Sequence, residues 1–278
     1  MKYGITQWSF ANGIYAVRLA AEAGFDGLQV ETGCQTSGYY MREPEIQKMY
    51  LEDARRYGVE LISVVNNDMM YVGCMGPKDG GAYKLSQKAI SYTVEVARDL
   101  GLARIMLPFF HESQIHPDRP ETFDRAVEVL KSACDRAAGE GILVMAETSI
   151  STPMQRELLD AVGAKNLVSF YDTQNLYWFD GLEALDELPG MLPMNGPEIH
   201  LCDGWGRIPE LTNGAALLTE GTANIEAQIK LICESGWDGW LITENNYYYE
   251  PFWGKGSELD LARRDLATVK RLVARYSL

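Results

Sequence analysis

The sequence predicts an α/β protein of the (β/α)8 TIM barrel class, with residues 1–278 forming a single domain. Three observations predict it. Short, β-rich apolar runs alternate from end to end with longer amphipathic stretches. Glycine recurs where a helical stretch gives way to a strand. The long insertions all follow strands. A chain of 278 residues suits one barrel, which commonly takes roughly 250.

Taken in order, strands are expected over residues 3–8, 27–31, 60–65, 104–107, 142–147, 167–171, 198–201 and 240–243. Helices are expected over 14–23, 45–57, 84–100, 123–138, 154–161, 182–188, 225–235 and 259–276, where apolar residues return every three or four positions. The joints Ala23-Gly24-Phe25, Tyr57-Gly58-Val59, Leu100-Gly101-Leu102 and Ser235-Gly236-Trp237 put glycine where a helix ends in the left-handed conformation. Short helix-to-strand joints imply parallel strands. An open doubly wound sheet would carry a G-x-G-x-x-G turn after its first strand, and here that turn reads Gln7-Trp8-Ser9-Phe10. The insertions at 32–44, 66–83, 109–121 and 203–224 therefore belong to the carboxyl ends of the strands, the end at which barrel enzymes place their active sites.

Composition excludes several function classes. At 46% hydrophobic and 23% charged residues, the chain can bury a sizeable core and does not read as disordered. A formal net charge of −14 disfavours nucleic-acid and anionic-membrane partners. The five cysteines are odd in number and form no C-x-x-C pair, which predicts reduced thiols and a cytoplasmic location. The N-terminus enters a strand without a basic lead and apolar core, so no signal peptide is read, and no apolar run approaches the roughly 20 residues of a membrane span.

The strand ends carry the chemistry. Strand five ends Val144-Met145-Ala146-Glu147, strand six runs Phe170-Tyr171-Asp172, strand seven contains Ile199-His200-Leu201, and strand eight leads Ile242-Thr243-Glu244. Four consecutive strands thus deliver Glu147, Asp172, His200 and Glu244 to one rim. Three carboxylates and an imidazole suit one divalent ion, Mn²⁺ first, with Mg²⁺, Co²⁺ or Zn²⁺ also matching the donors. Taken alone, Asp172 could equally cap the following helix, and His200 could be a buried structural histidine. Three carboxylates together, however, would repel without a cation. Other residues placed to meet a substrate are Trp8, Asn66 and His111, with Gln7, Glu31 and Asn67 on the same rim. The run Tyr247-Tyr248-Tyr249-Glu250-Pro251-Phe252-Trp253 reads as a lid or as a subunit contact in a homo-oligomer.

These segments resemble the sugar phosphate isomerase/epimerase superfamily, the xylose isomerase-like TIM barrels. The resemblance covers nearly the whole chain. Its most specific parts are Glu147-Thr148, Asp172-Thr173-Gln174-Asn175, Ile199-His200-Leu201-Cys202-Asp203 and the stretch from Gly236 to Asn245, with Glu220-Gly221-Thr222 similar to the loop before the seventh helix. In that group the residues matching Glu147, Asp172, His200 and Glu244 bind the metal, and Glu147 and Glu244 act as the acid/base pair. Keto-sugar 3-epimerases of the group carry histidine at the place of Asn175. Their arginine after the metal histidine corresponds here to Arg207, seven residues on.

The resemblance implies a divalent-metal-dependent isomerase or epimerase that moves a proton on a keto-sugar or related polyol through an enediolate. Elimination from a keto-sugar, cyclitol or 3-keto glycoside would use the same proton abstraction, so a lyase or dehydratase is the first alternative. A non-catalytic sugar-binding barrel is the second. Apurinic-site endonucleases share the superfamily, but they resemble histidine-rich trinuclear zinc enzymes, whereas this acidic chain has three histidines.

Overall fold

A computed structural model describes residues 1–206 and 215–277. Eight strands lie in the order β1 (Lys2–Thr6), β2 (Gly27–Glu31), β3 (Glu60–Val65), β4 (Arg104–Pro108), β5 (Leu143–Glu147), β6 (Leu167–Asp172), β7 (Asn195–Leu201) and β8 (Trp240–Thr243). They close as a barrel in that order. The pairings β1–β2, β3–β4, β4–β5, β5–β6, β7–β8 and β1–β8 are all parallel. The helices are α1 (Ala16–Ala23), α2 (Pro44–Tyr57), α3 (Asp68–Val72), α4 (Gly81–Asp99), α5 (Pro120–Ala138), α6 (Thr152–Val162), α7 (Asn175–Asp180), α8 (Ala184–Met191), α9 (Ile225–Glu234) and α10 (Glu258–Tyr276). Among the described residues no helix is long and apolar enough to cross a membrane. The five cysteines form no disulfide.

The expected strands and helices are all present, with shifts at their ends. β1 stops at Thr6 rather than running to residue 8, because Gln7–Ser9 coils into a 3-10 turn tied by the Thr6 and Ser9 hydroxyls at 2.7 Å. α5 begins three residues earlier than its apolar period suggests, since Pro120 supplies a favourable first helical residue that periodicity does not register. α3 and α7 lie where no helix is expected; at five and six residues they are too short to show a period. Gly24, at φ 95°, ends α1 as the joint pattern predicts, donating its N–H to the Ala20 and Ala21 carbonyls.

The chain gathers into two compact units. The first comprises Met1–Gln29, Asp53–Leu61 and Tyr171–Leu278; the second comprises Val30–Glu52 and Ile62–Phe170. In the first, Tyr171, Ile199, Leu201 and Leu241 pack with Ile229, Val269 and Leu272 from the covering helices. Successive strand side chains point to opposite faces. Asp172, Glu198, His200 and Glu244 are therefore directed away from that helix-packed layer. In the second unit, Ile105, Met106, Val144 and Ala146 are buried along β4 and β5, and Glu147 closes β5.

Close backbone approach fixes the entry to β8. The Gly239 carbonyl accepts from Lys2 N–H at 2.9 Å. A Cβ built on Gly239 would run into the Pro197 carbonyl and lie 2.7 Å from the Trp237 ring. Gly239→Ala is expected to destabilise the fold by about 1–3 kcal/mol, as overpacking of a tight contact does. A urea midpoint equal to that of the wild type would show that the segment can shift without cost.

Candidate metal centre at the strand ends

Glu147 and Asp172 are the last residues of β5 and β6, His200 is the penultimate residue of β7, and Glu244 follows β8 directly. Each offers a ligand-type atom, and these atoms all lie within 4.8 Å of one another. Glu147 and Asp172 are each 3% exposed and His200 is fully buried.

The partners of each donor show what the cluster can do. Asp172 Oδ1 accepts the backbone N–H groups of Gln174 and Asn175, both at 2.7 Å, so the helix-capping role open to this residue is filled. Its Oδ2 is buried with no hydrogen-bond partner among the described residues. One oxygen thus anchors the side chain while the other remains for a cation. Glu244 Oε1 accepts the Trp8 indole N–H at 3.0 Å, and its Oε2 lies 3.3 Å from the Cys202 thiol. His200 Nδ1 is 2.8 Å from Glu244 Oε2, so two ligand-type atoms stand side by side. Oxygen and imidazole donors in this number suit a divalent ion.

Electrostatics favour the same view. Burial, and next the charge of Glu244, push the Asp172 carboxyl up to about 6, against the opposing effects of His200 and the Gln174 N–H. Burial would also push Glu244 up, but His200, the Cys202 thiol and the Trp8 N–H outweigh it and hold that carboxyl below its ordinary value. Burial and the two flanking carboxylates push the Cys202 thiol far up, so it stays a neutral donor.

The other residues singled out from the sequence fall in varied places. Trp8, half-buried in the turn after β1, sets its ring edge-on to His200 at 6.2 Å between centroids. Asn66, just past β3, is fully buried, and neither polar atom of its side chain has a hydrogen-bond partner among the described residues. His111 opens an exposed 3-10 turn after β4 at φ 50°. Asn175 begins α7 and contributes its backbone N–H to Asp172. Glu31 accepts from Tyr40 Oη and Asn67 Nδ2, each at 2.9 Å. Arg207 lies outside the described residues. The aromatic run after β8 is divided: Tyr247 and Phe252 are buried, whereas Tyr249 and Trp253 are 44% and 71% exposed. Tyr247 turns inward because its hydroxyl finds Asp265 at 2.8 Å.

Several residues contribute in ways that the motifs leave unassigned. Asp203 accepts four backbone N–H groups, from Gly204, Thr219, Gly221 and Ala223, and so gathers both ends of the loop after β7. A Cβ on Gly221 would collide with Asp203 Oδ1 and with Gly204, which reserves that place for glycine. Asp265 of α10 accepts from Leu218 N–H, Asn245 Nδ2 and Tyr247 Oη, pinning the chain just past Glu244. Gln29 on β2 and Glu198 on β7 are fully buried and linked to His200. A polar residue in a short buried strand was the available signal for both.

Comparison with known proteins follows from this geometry. Residues 17–272 match the family described as xylose isomerase-like TIM barrel. The chain is 26% identical over 225 residues to a 2-epi-5-epi-valiolone 7-phosphate 2-epimerase of Actinoplanes sp., covering 81% of this chain and 79% of the relative. It superposes on D-psicose 3-epimerase from Clostridium cellulolyticum H10, crystallised with D-tagatose, at TM-score 0.75 and 14% identity, over 100% of this chain and 99% of that one. It superposes on the IOLI protein with a bound zinc atom at TM-score 0.79 and 14% identity, over 99% of both chains. At that identity the two crystal structures share the fold.

The raised carboxyl of Asp172 yields a stability test. Because the folded state holds this proton up to about 6, against 3.8 in the unfolded chain, the metal-free fold binds more protons across that window. Its stability therefore falls as pH rises from about 4 to about 6, and the full cost persists above it. At about 1.4 kcal/mol per pH unit, that cost is on the order of 3 kcal/mol. Asp172→Asn keeps the Oδ1 acceptor and removes the charge. It is expected to raise the Tm of the metal-free protein at pH 7.5 while abolishing any Tm gain from added divalent ion. A variant less stable than the wild type at that pH would contradict the assignment of strain to Asp172.

Proposed function

The chain belongs to the xylose isomerase-like TIM barrel family, and we propose that it is a divalent-metal-dependent isomerase or epimerase acting on a keto-sugar or related cyclic polyol. The observation that carries this reading is the convergence of Glu147, Asp172, His200 and Glu244 from four successive strands. The orphaned Asp172 Oδ2 and the 2.8 Å approach of His200 Nδ1 to Glu244 Oε2 support those four residues as the ligands. Mn²⁺ suits this mostly oxygen donor set, as do Mg²⁺, Co²⁺ and Zn²⁺.

A substrate of this class presents a carbonyl beside a hydroxyl-bearing carbon. A divalent cation held by the cluster would draw electron density from that carbonyl and lower the cost of the enediolate. Glu147 and Glu244 serve as the acid/base pair. One carboxylate takes the α-proton, and the electron pair of the C–H bond moves into a new C–C double bond as the carbonyl oxygen gains charge. Return of a proton to the opposite face of the same carbon inverts it; return to the neighbouring carbon, with the hydroxyl proton passing to the former carbonyl oxygen, moves the carbonyl. Trp8 and Cys202 keep Glu244 oriented throughout, and its lowered proton affinity keeps it ready to accept. Asn66, Trp8, His111, Asn175 and Arg207 are the proposed substrate contacts. The relative from Actinoplanes is named for a phosphorylated cyclitol, which supports including cyclic polyols and their phosphates among the substrates tested. We place the enzyme in the cytoplasm, and the exposed Tyr249 and Trp253 are the side chains a homo-oligomer would cover.

Elemental analysis of the purified protein is expected to find about one divalent ion per chain, lost in His200→Ala and Glu244→Ala. With Mn²⁺ present in ²H₂O, the wild type is expected to wash solvent deuterium into one carbon of a recovered keto-sugar or keto-cyclitol. Glu147→Gln and Glu244→Gln are each expected to slow that exchange by about 10²- to 10⁴-fold. A wild type that takes up no Mn²⁺, Co²⁺ or Zn²⁺ would sink the metal reading. Deuterium uptake accompanied by loss of a β-substituent would instead identify a lyase.

A further inference from the structure

His200 has two ring nitrogens, and the structure gives them different surroundings. Nδ1 faces Glu244 Oε2 at 2.8 Å, on the side of the carboxylate cluster. Nε2 lies 2.7 Å from Gln29 Oε1. Gln29 in turn donates from Nε2 to Glu198 Oε2 at 3.1 Å. All three side chains are fully buried. Period 2 along β7 puts Glu198 and His200 on one face, and Gln29 of β2 bridges them.

The order of donors and acceptors along this chain is forced from one end. A carboxamide has one donor end and one acceptor end, and at ordinary resolution the two look alike, so its partners must decide which way it points. A carboxylate oxygen accepts. Glu198 therefore takes the amide N–H₂ of Gln29, which turns the Gln29 carbonyl oxygen toward His200. A carbonyl oxygen can only accept, so His200 Nε2 must carry the proton. In the neutral ring, the form that can bind a cation, the other nitrogen, Nδ1, is then the one with a lone pair to give. Were the amide reversed, its N–H₂ would face His200 Nε2, the ring proton would move to Nδ1, and the nitrogen beside Glu147, Asp172 and Glu244 could no longer ligate.

We propose that Gln29, oriented by the buried Glu198, acts as a positioning residue that holds the proton of His200 on Nε2 and presents Nδ1 to the divalent ion. The inference rests on the metal reading given above, and it adds what that reading leaves open: which histidine nitrogen binds and what sets it. It also accounts for two polar side chains in the barrel interior that take no part in proton transfer. An apolar pair of the same size would fill that space without an unmet hydrogen-bonding group, so their presence calls for a role. Partners behind a metal-bound histidine commonly fix its tautomer, and their removal weakens metal binding.

With only three histidines in the chain, ¹⁵N spectra can be assigned by comparison with His200→Ala. The Zn²⁺-loaded wild type is expected to show a protonated Nε2 and a metal-shifted Nδ1 for His200. Gln29→Met, close in length but unable to accept, is expected to weaken Mn²⁺ and Zn²⁺ affinity by about 10- to 100-fold with the circular dichroism unchanged. The exchanged pair Gln29→Glu with Glu198→Gln restores an acceptor to His200 Nε2 and a donor behind it. It is expected to recover affinity to within a few fold of the wild type. A bare, unprotonated Nε2, a metal bound there, or an exchanged pair that folds yet binds no tighter than Gln29→Met would overturn the proposal. If no metal binds at all, the functional reading fails separately. The Nε2 proton can then still be read in the metal-free protein, where its absence would defeat this inference too.

Discussion

Three carboxylates and an imidazole held within 4.8 Å of one another, with Glu147, Asp172 and His200 buried and Glu244 partly so, form an arrangement that a folded chain does not adopt for its own stability. Burial first, and then the like charge of Glu244, raise the proton affinity of Asp172 in a medium that screens charge poorly. The surrounding structure can be understood as a response to that constraint. Backbone N–H groups meet one oxygen of Asp172, an indole and a thiol meet the two oxygens of Glu244, and an amide meets the far side of His200. Each contact restrains an orientation while leaving an atom directed at the centre. A divalent cation would convert the repulsion into attraction, so the same four residues can be a burden to the metal-free fold and the source of its chemistry.

The rigidity needed for this comes from elements remote from the cluster. Glu244 lies at the junction of β8 and a loop, a position that could swing. It does not, because Asn245 and Tyr247 just beyond it are both tied to Asp265 on α10. Asp203 does the equivalent past His200, collecting four backbone N–H groups into a compact turn that only a glycine at 221 can complete. These two aspartates come no nearer the cluster than through neighbouring residues. Their work is to turn strand ends, which are ordered by the barrel, into loop starts that are ordered as well.

How much of this was legible in the sequence follows from the physical range of each signal. The strands and covering helices announce themselves through periodicity, and Gly24 and Gly101 through the left-handed conformation that ends α1 and α4. Glu147, Asp172, His200 and Glu244 are legible because each breaks an apolar run at the same end of successive strands. Gln29 and Glu198 break apolar runs too, but they sit mid-strand, and nothing local says that residues 29, 198 and 200 meet. That contact is a property of barrel closure, beyond the reach of any window of sequence. The hydroxyl contact that draws Tyr247 out of an exposed aromatic run is likewise decided by a partner eighteen residues away in the chain.

The same division explains why membership of a family leaves the substrate open. Solved structures at 14% identity overlay nearly the full length of this chain, so the barrel tolerates wholesale replacement provided that apolar periods persist. Strand ends that carry a cluster of this kind would be held to tighter tolerances, because ligands to one ion must keep their geometry. Loops carry no such common requirement, and they are the parts of a barrel in which function is free to vary. Asn66, just past β3, lies in such a segment. A fully buried carboxamide whose two polar atoms have no hydrogen-bond partner among the described residues costs the fold stability. A group bearing both a donor and an acceptor, whether a water or a hydroxyl, would offset that cost if it lay against it.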